Sequence, residues 1–96
     1  MNTLESEVER HFVWRVAMCG GMTCKMKAIG KPGFPDRIAF LPDGSMWLVE
    51  LKRPKGGKLS ERQKLFASDM KKLKQKYVCL WSKEQVDAWA PIGFVL

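Results

Sequence analysis

The stretch "KPGFPDRIAFLPDGSMWLVELKR", Lys31 to Arg53, decides the fold of this chain. It holds two strand-like apolar runs, "DRIAFL" and "SMWLVELK", joined by Pro42-Asp43-Gly44. Proline pre-sets φ for the first central position of a type I turn, Asp suits the second, and Gly takes the left-handed position that follows. The expected connection is a three-residue hairpin loop with a bulge. Such a loop places Leu41 opposite Ser45 and, counting back along both strands, Asp36 opposite Glu50. Directly opposed residues share one face of the sheet, and the strand period of two brings Lys52 to the same face. A two-residue turn would instead put Asp36 and Glu50 on opposite faces.

Further along that face stand the apolar pairs Ile38 with Leu48 and Phe40 with Met46; the other face carries Ala39, Leu41, Trp47, Val49 and Leu51. With apolar residues on both faces, the hairpin is expected at the centre of a sheet covered by helices on both sides.

The flanking sequence supplies those helices. Leu4, Val8, Phe12 and Val16 recur every four residues from a Thr3 start, and "CGG" at 19–21 stops the helix. "TCKMKAI" (23–29) reads as a strand, and "GKPGFP" (30–35) as a loop. After the flexible basic loop "RPKGGK" (53–58), Ser60 and Gln63 have the spacing of a capping box. They open a second helix whose apolar stripe is Phe66, Met70 and Leu73, with Lys64, Lys71, Lys72, Lys74 and Lys76 around it. "YVCLW" (77–81) is a fourth strand, and Ser82 caps a last helix around Glu84 to Trp89. The order is α-β-β-β-α-β-α, an α/β class with a four-stranded central sheet flanked by helices.

A chain of 96 residues, 46% hydrophobic and 28% charged, has the balance of one globular domain spanning 1–96. Its 17 Lys and Arg against 10 Asp and Glu leave a net charge of +7, which suits a polyanion partner; solubility alone is the plainer alternative, placed second because of the motifs below. Cys19, Cys24 and Cys79 cannot all pair and, with the lone His11, give no zinc spacing; they read as small buried thiols in a reducing compartment. No run has the length of a membrane span, and the acidic start "MNTLESEVER" is unlike a signal peptide, so the expected location is the cytoplasm.

Asp36, Glu50 and Lys52 carry the chemistry. Two carboxylates at one end of a covered hairpin repel each other, and a cation between them removes the repulsion. Oxygen ligands suit Mg²⁺ or Mn²⁺, which keep waters for a substrate phosphate. The Lys52 ammonium then either holds the attacking water or balances charge growing on a phosphorane oxygen. The plainer alternative makes Glu50 and Lys52 solvated strand ends and Asp36 a turn former after Pro35. One register argument placing all three together in a basic chain favours the site.

"PD" at 35–36 followed after thirteen residues by "ELK" at 50–52 resembles the motif of the PD-(D/E)XK nuclease superfamily. More narrowly, "GFPD", "VELK", the Gly-rich basic loop and "LSERQ" (59–63), in that order, resemble the VRR-NUC domain, the virus-type replication-repair nuclease module. The resemblance runs from the first helix through Trp81. It implies a restriction-endonuclease-like core in which Asp36 and Glu50 are metal ligands, the Leu51 carbonyl a further ligand and Lys52 the catalytic lysine. Gln63 matches the family's Gln near the active site, a role compatible with capping. An acidic residue of helix 1 faces the metal in such domains; Glu9 is the better match and Glu5 the runner-up, with plain surface charge near the helix N-terminus as the alternative.

Stand-alone members of that family, mostly from phages and bacteria, are structure-specific endonucleases linked to Holliday junctions; a fused version occurs in the Fanconi-associated nuclease. The expectation is therefore an Mg²⁺- or Mn²⁺-dependent endonuclease of DNA repair that cuts branched DNA as a homodimer. A flap or nicking nuclease and a non-catalytic nucleic-acid-binding module are the rivals. Lys31, Arg37, Arg53, Lys55 and Lys58 flank the site and are expected to grip backbone phosphates. The four Trp residues and the "APIGFVL" terminus offer surface for pairing two copies.

Overall fold

The computed structural model describes residues 2–26 and 32–90. Seven elements follow in the expected order: α1 (Glu5–Met18), β1 (Met22–Lys25), β2 (Arg37–Phe40), β3 (Met46–Leu51), α2 (Glu61–Lys72), β4 (Tyr77–Leu80) and α3 (Lys83–Trp89). The strands form one sheet in the order β1-β2-β3-β4, antiparallel except for the parallel β3–β4 pair. β1 begins at Met22 and ends at Lys25; the rest of the strand read from "TCKMKAI" falls largely outside the described residues.

The hairpin has the register its turn dictates, with Arg37 opposite Val49, Ile38 opposite Leu48 and Phe40 opposite Met46. Leu41 N donates to Ser45 O at 2.9 Å and Gly44 N to Leu41 O at 2.9 Å, while Gly44 sits at φ +87°, where a Cβ would be strained. Asp43 Oδ1 accepts from the Ser45 amide and hydroxyl, which holds the loop's exit.

One face of the sheet is the core. Ala39, Leu41, Val49, Leu51 and Leu80 meet Val8, Phe12 and Val16 of α1, Val86 of α3 and its capping residue Ala90, all buried. Trp89 stacks on Phe12 and meets Trp47 edge-on. α1 and α3 are tied by Asp87, which accepts from His11 Nε2 at 2.7 Å and pairs with Arg15 at 3.4 Å.

The other face departs from the expectation of a hairpin covered on both sides. α2 is joined to β4 by a short connection and a parallel strand, so it lies mainly over β4 and buries no residue fully. Across β1, β2 and β3 the aligned row Met22, Phe40 and Met46 stays open, at 68, 43 and 50% exposure. Cys24 is likewise exposed rather than buried; Cys19 is buried and Cys79 half-buried.

Candidate active site

The end of the hairpin remote from its turn gathers the charged residues. β3 runs beyond the last β2 pair, and the Leu51 amide there is satisfied by Asp36 Oδ2 at 2.9 Å. Proline at 35 breaks the ladder and the Asp36 side chain takes its place, so its carboxylate is fixed beside β3. Glu50, on the face opposite the core and across from Cys79 of β4, is buried, with its side chain 2% exposed.

Two groups hold Glu50. Gln63 Nε2 donates to its Oε2 at 3.2 Å, and Lys52 Nζ lies 3.7 Å from the same oxygen. Gln63 also completes the capping box of α2: its Oε1 accepts from Ser60 N at 2.8 Å, and its own N donates to Ser60 Oγ at 3.1 Å. Gln63 thus caps α2 and contacts Glu50 at once, and the start of α2 is fastened to the carboxylate.

Glu50 Oε1 is buried without a hydrogen-bond partner. A buried carboxylate oxygen left so is costly. Burial, then a hydrogen bond to Asp36 available only to the protonated form, then repulsion by the Asp36 charge push the Glu50 carboxyl from its ordinary 4.5 to about 8; Lys52 opposes the shift and Glu5 adds to it. Burial and the same carboxylates raise the Cys79 thiol to about 12, so it remains protonated. Among the described residues no three His, Cys, Asp or Glu side chains converge as a metal cluster. The fit to a cation rests instead on an all-oxygen pair, Asp36 and Glu50, with an unpartnered oxygen on one of them. Such a set suits a hard divalent ion that retains waters.

The remaining candidates separate. Glu9 forms an ion pair with Arg37 at 3.0 Å and borders a cleft shared with Asp36, whereas Glu5 is the α1 acid whose charge is felt at Glu50. Arg37 is 8% exposed, bonded to Glu9 and to the Thr23 hydroxyl. Its side chain alternates to the α1 face, where it clamps α1 to the hairpin through Glu9. Arg53, Lys55 and Lys58 are exposed on the loop that follows Lys52. Lys31 lies outside the described residues, as does all of "APIGFVL" beyond Ala90. The sequence reading missed the Asp36 link to the Leu51 amide, for which the break at Pro35 was the available signal, and the Arg37–Glu9 pair, which left none.

No family model matches the sequence. The chain is 37% identical over 67 residues to "Putative nuclease p44" of Acyrthosiphon pisum secondary endosymbiont phage 1, an alignment covering 66% of this chain and 72% of that protein. A solved structure described as "VRR_NUC domain" superposes with a TM-score of 0.81 at 28% identity, covering 88% of this chain and 90% of that one. With the sheet order and these likenesses together, the chain belongs to the VRR-NUC family of nucleases.

Proposed function

We propose that this domain is a divalent-metal-dependent DNA endonuclease that recognises structure and cuts branched DNA, a Holliday junction or a related fork, as a homodimer. The observation that carries the reading is the buried Glu50 carboxyl, with one oxygen unpartnered, beside Asp36 and within 3.7 Å of the Lys52 ammonium. A module that only binds DNA has no use for an ionisable group buried at such cost.

Asp36, Glu50 and the Leu51 carbonyl are the groups that would hold Mg²⁺ or Mn²⁺, which supplies Lewis-acid polarisation of the phosphate and a nucleophile at neutral pH. The chain's own residues do the rest. Gln63 orients the Glu50 carboxylate through Oε2, and the Leu51 amide fixes Asp36. Lys52, 13% exposed, carries its charge where it offsets the negative charge that grows on the phosphorane oxygens. Arg53, Lys55 and Lys58 stand beside it to hold flanking phosphates, and the chain's +7 charge favours the polyanion at long range.

Two copies are needed to cut both strands of a two-fold junction, and a two-fold dimer presents its sites with matching symmetry. The open row Met22, Phe40 and Met46 supports the pairing, being apolar surface that a second copy would cover.

The test is a panel of four-way junctions, flaps, nicked and linear duplexes with Mg²⁺, Mn²⁺ or EDTA, run beside Asp36→Ala. Paired cuts in the junction, lost in EDTA and in the variant, are expected. Cutting restricted to flaps would assign the flap reading, and junction binding without cutting under every condition would overturn the nuclease.

A further inference from the structure

Lys52 stands just past the end of its strand. Its amide donates to Leu80 O at 3.0 Å, and the Leu51 amide before it donates to Asp36 Oδ2 at 2.9 Å, so the main chain is pinned on both sides. The β3–β4 ladder ends at the Leu51–Leu80 pair, and the Lys52 side chain has no ladder partner beside it. A lysine stem is long and flexible, free to sweep its ammonium over many positions. Yet this side chain is only 13% exposed, with Nζ 3.7 Å from Glu50 Oε2.

The loop that follows supplies the missing cover. Within the otherwise exposed segment 53–58, Gly57 alone is partly buried. A Cβ placed on it would collide with Arg53 O and come within 3.2 Å of Arg53 N and 3.3 Å of Lys52 Cβ. Gly56, at φ +81°, turns the chain at that point, and the Arg53 guanidinium folds back over it, with Nη2 3.4 Å from the position a Cβ would take. The loop backbone therefore rests directly on the Lys52–Arg53 peptide, an approach open only to a residue without a side chain.

We infer that Gly57 is a positioning residue, whose bare backbone roofs the Lys52 stem and holds the ammonium at Glu50. A charge fixed before the substrate arrives stabilises the transition state without reorganising, and misplacing it by about 1 Å costs up to about 10²-fold. The inference rests on the nuclease reading and adds a second task for the basic loop, acting on turnover through Lys52 and distinct from gripping flanking phosphates.

The test compares Gly57→Ala with wild type and with Gly44→Ala on a branched substrate. Gly44, at φ +87° in the remote hairpin turn, has open space around it, so an alanine there strains the backbone without touching the site. Gly57→Ala is expected to lower kcat about tenfold or more with KM changed less than about twofold, whereas Gly44→Ala keeps both. A raised KM with kcat kept, or a kcat loss shared by Gly44→Ala, would overturn the positioning role. A second readout needs no cutting: reductive methylation of Lys52 relative to Lys64, followed by peptide mass spectrometry in EDTA. In Gly57→Ala that ratio should rise by up to about fivefold, as Lys52 moves from 13% exposure towards the 59% of Lys64, and an unchanged ratio refutes the roof. If wild type cuts nothing, the nuclease reading fails on its own, and methylation still decides whether Gly57 holds Lys52. Should Gly57→Ala not fold, Gly56→Ala, strained at φ +81° in the same turn, is expected to show the same two changes in smaller measure, and their absence overturns the inference.

Discussion

Replacing Glu50 with Gln is expected to stabilise the metal-free protein at neutral pH and to flatten its pH dependence. The Glu50 carboxyl titrates at about 8 in the fold and at 4.5 as an ordinary carboxyl, so between these values the folded chain keeps a proton that the unfolded chain gives up. Stability therefore falls as pH rises through that window and levels off above it. From pH 5.5 to 7.5 the difference amounts to at most about 2.5 kcal/mol, at 1.36 kcal/mol per pH unit. Even if relaxation around the site halves it, a chain of this size should lose at least ~5 °C in Tm over that range. In Glu50→Gln the amide stands in for the protonated carboxyl, and this component disappears. Thermal unfolding followed by circular dichroism in EDTA at pH 5.5, 6.5 and 7.5 reads the effect as the difference between the two proteins, in which the contributions common to both cancel. Mg²⁺ or Mn²⁺ at pH 7.5 should raise the wild-type Tm and leave the variant unchanged, because binding to the folded state alone adds stability. Parallel pH profiles for the two proteins would refute the argument.

Asp36→Asn should abolish cutting while keeping an acceptor for the Leu51 amide, whereas Asp36→Ala should in addition cost about 1–2 kcal/mol in urea unfolding. Arg37→Ala leaves Glu9 without its partner and should destabilise by about 3 kcal/mol, while a folded Arg37→Lys protein binds DNA near the wild-type level; a large loss of affinity there would return Arg37 to the DNA interface. Gly33→Ala, forced to φ +92° with its Cβ at 2.5 Å from Arg62 O, should cost at least ~2 kcal/mol in the same unfolding assay. Met46→Glu on the open face should turn the proposed homodimer into a monomer in sedimentation with the Tm little changed, and a dimer unaltered by the substitution would move the interface elsewhere.

What could be read from the sequence was governed by short-range stereochemistry. Pro42-Asp43-Gly44 sets the loop length, the loop length sets the register, and the register brings Asp36, Glu50 and Lys52 to one end and one face. Ser60 and Gln63 announced their cap for the same reason. The misses depend on distances that no local pattern carries. Arg37 lies next to Asp36 in sequence, but strand alternation turns it to the α1 face, where Glu9, one helix and one strand away, claims it. Glu5 and Glu9 are a single turn apart, and only the crossing of α1 over the sheet decides which of them is felt at Glu50. The open row Met22, Phe40 and Met46 has the same composition as a covered one; its exposure follows from where α2 comes to rest, over β4.

The parallel pairing of β3 with β4 also sets the order in which the domain becomes competent. The hairpin is local and can close in about 1–10 μs, whereas β4 must wait for the α2 crossover to bring residues 77–80 back beside 48–51. Until that happens Glu50 has neither its β4 neighbour nor the Gln63 amide from α2, and it behaves as a solvated carboxylate at a strand edge. A partly folded chain thus carries the nuclease motif without the nuclease site, so competence to act on DNA arrives with the last long-range step of folding.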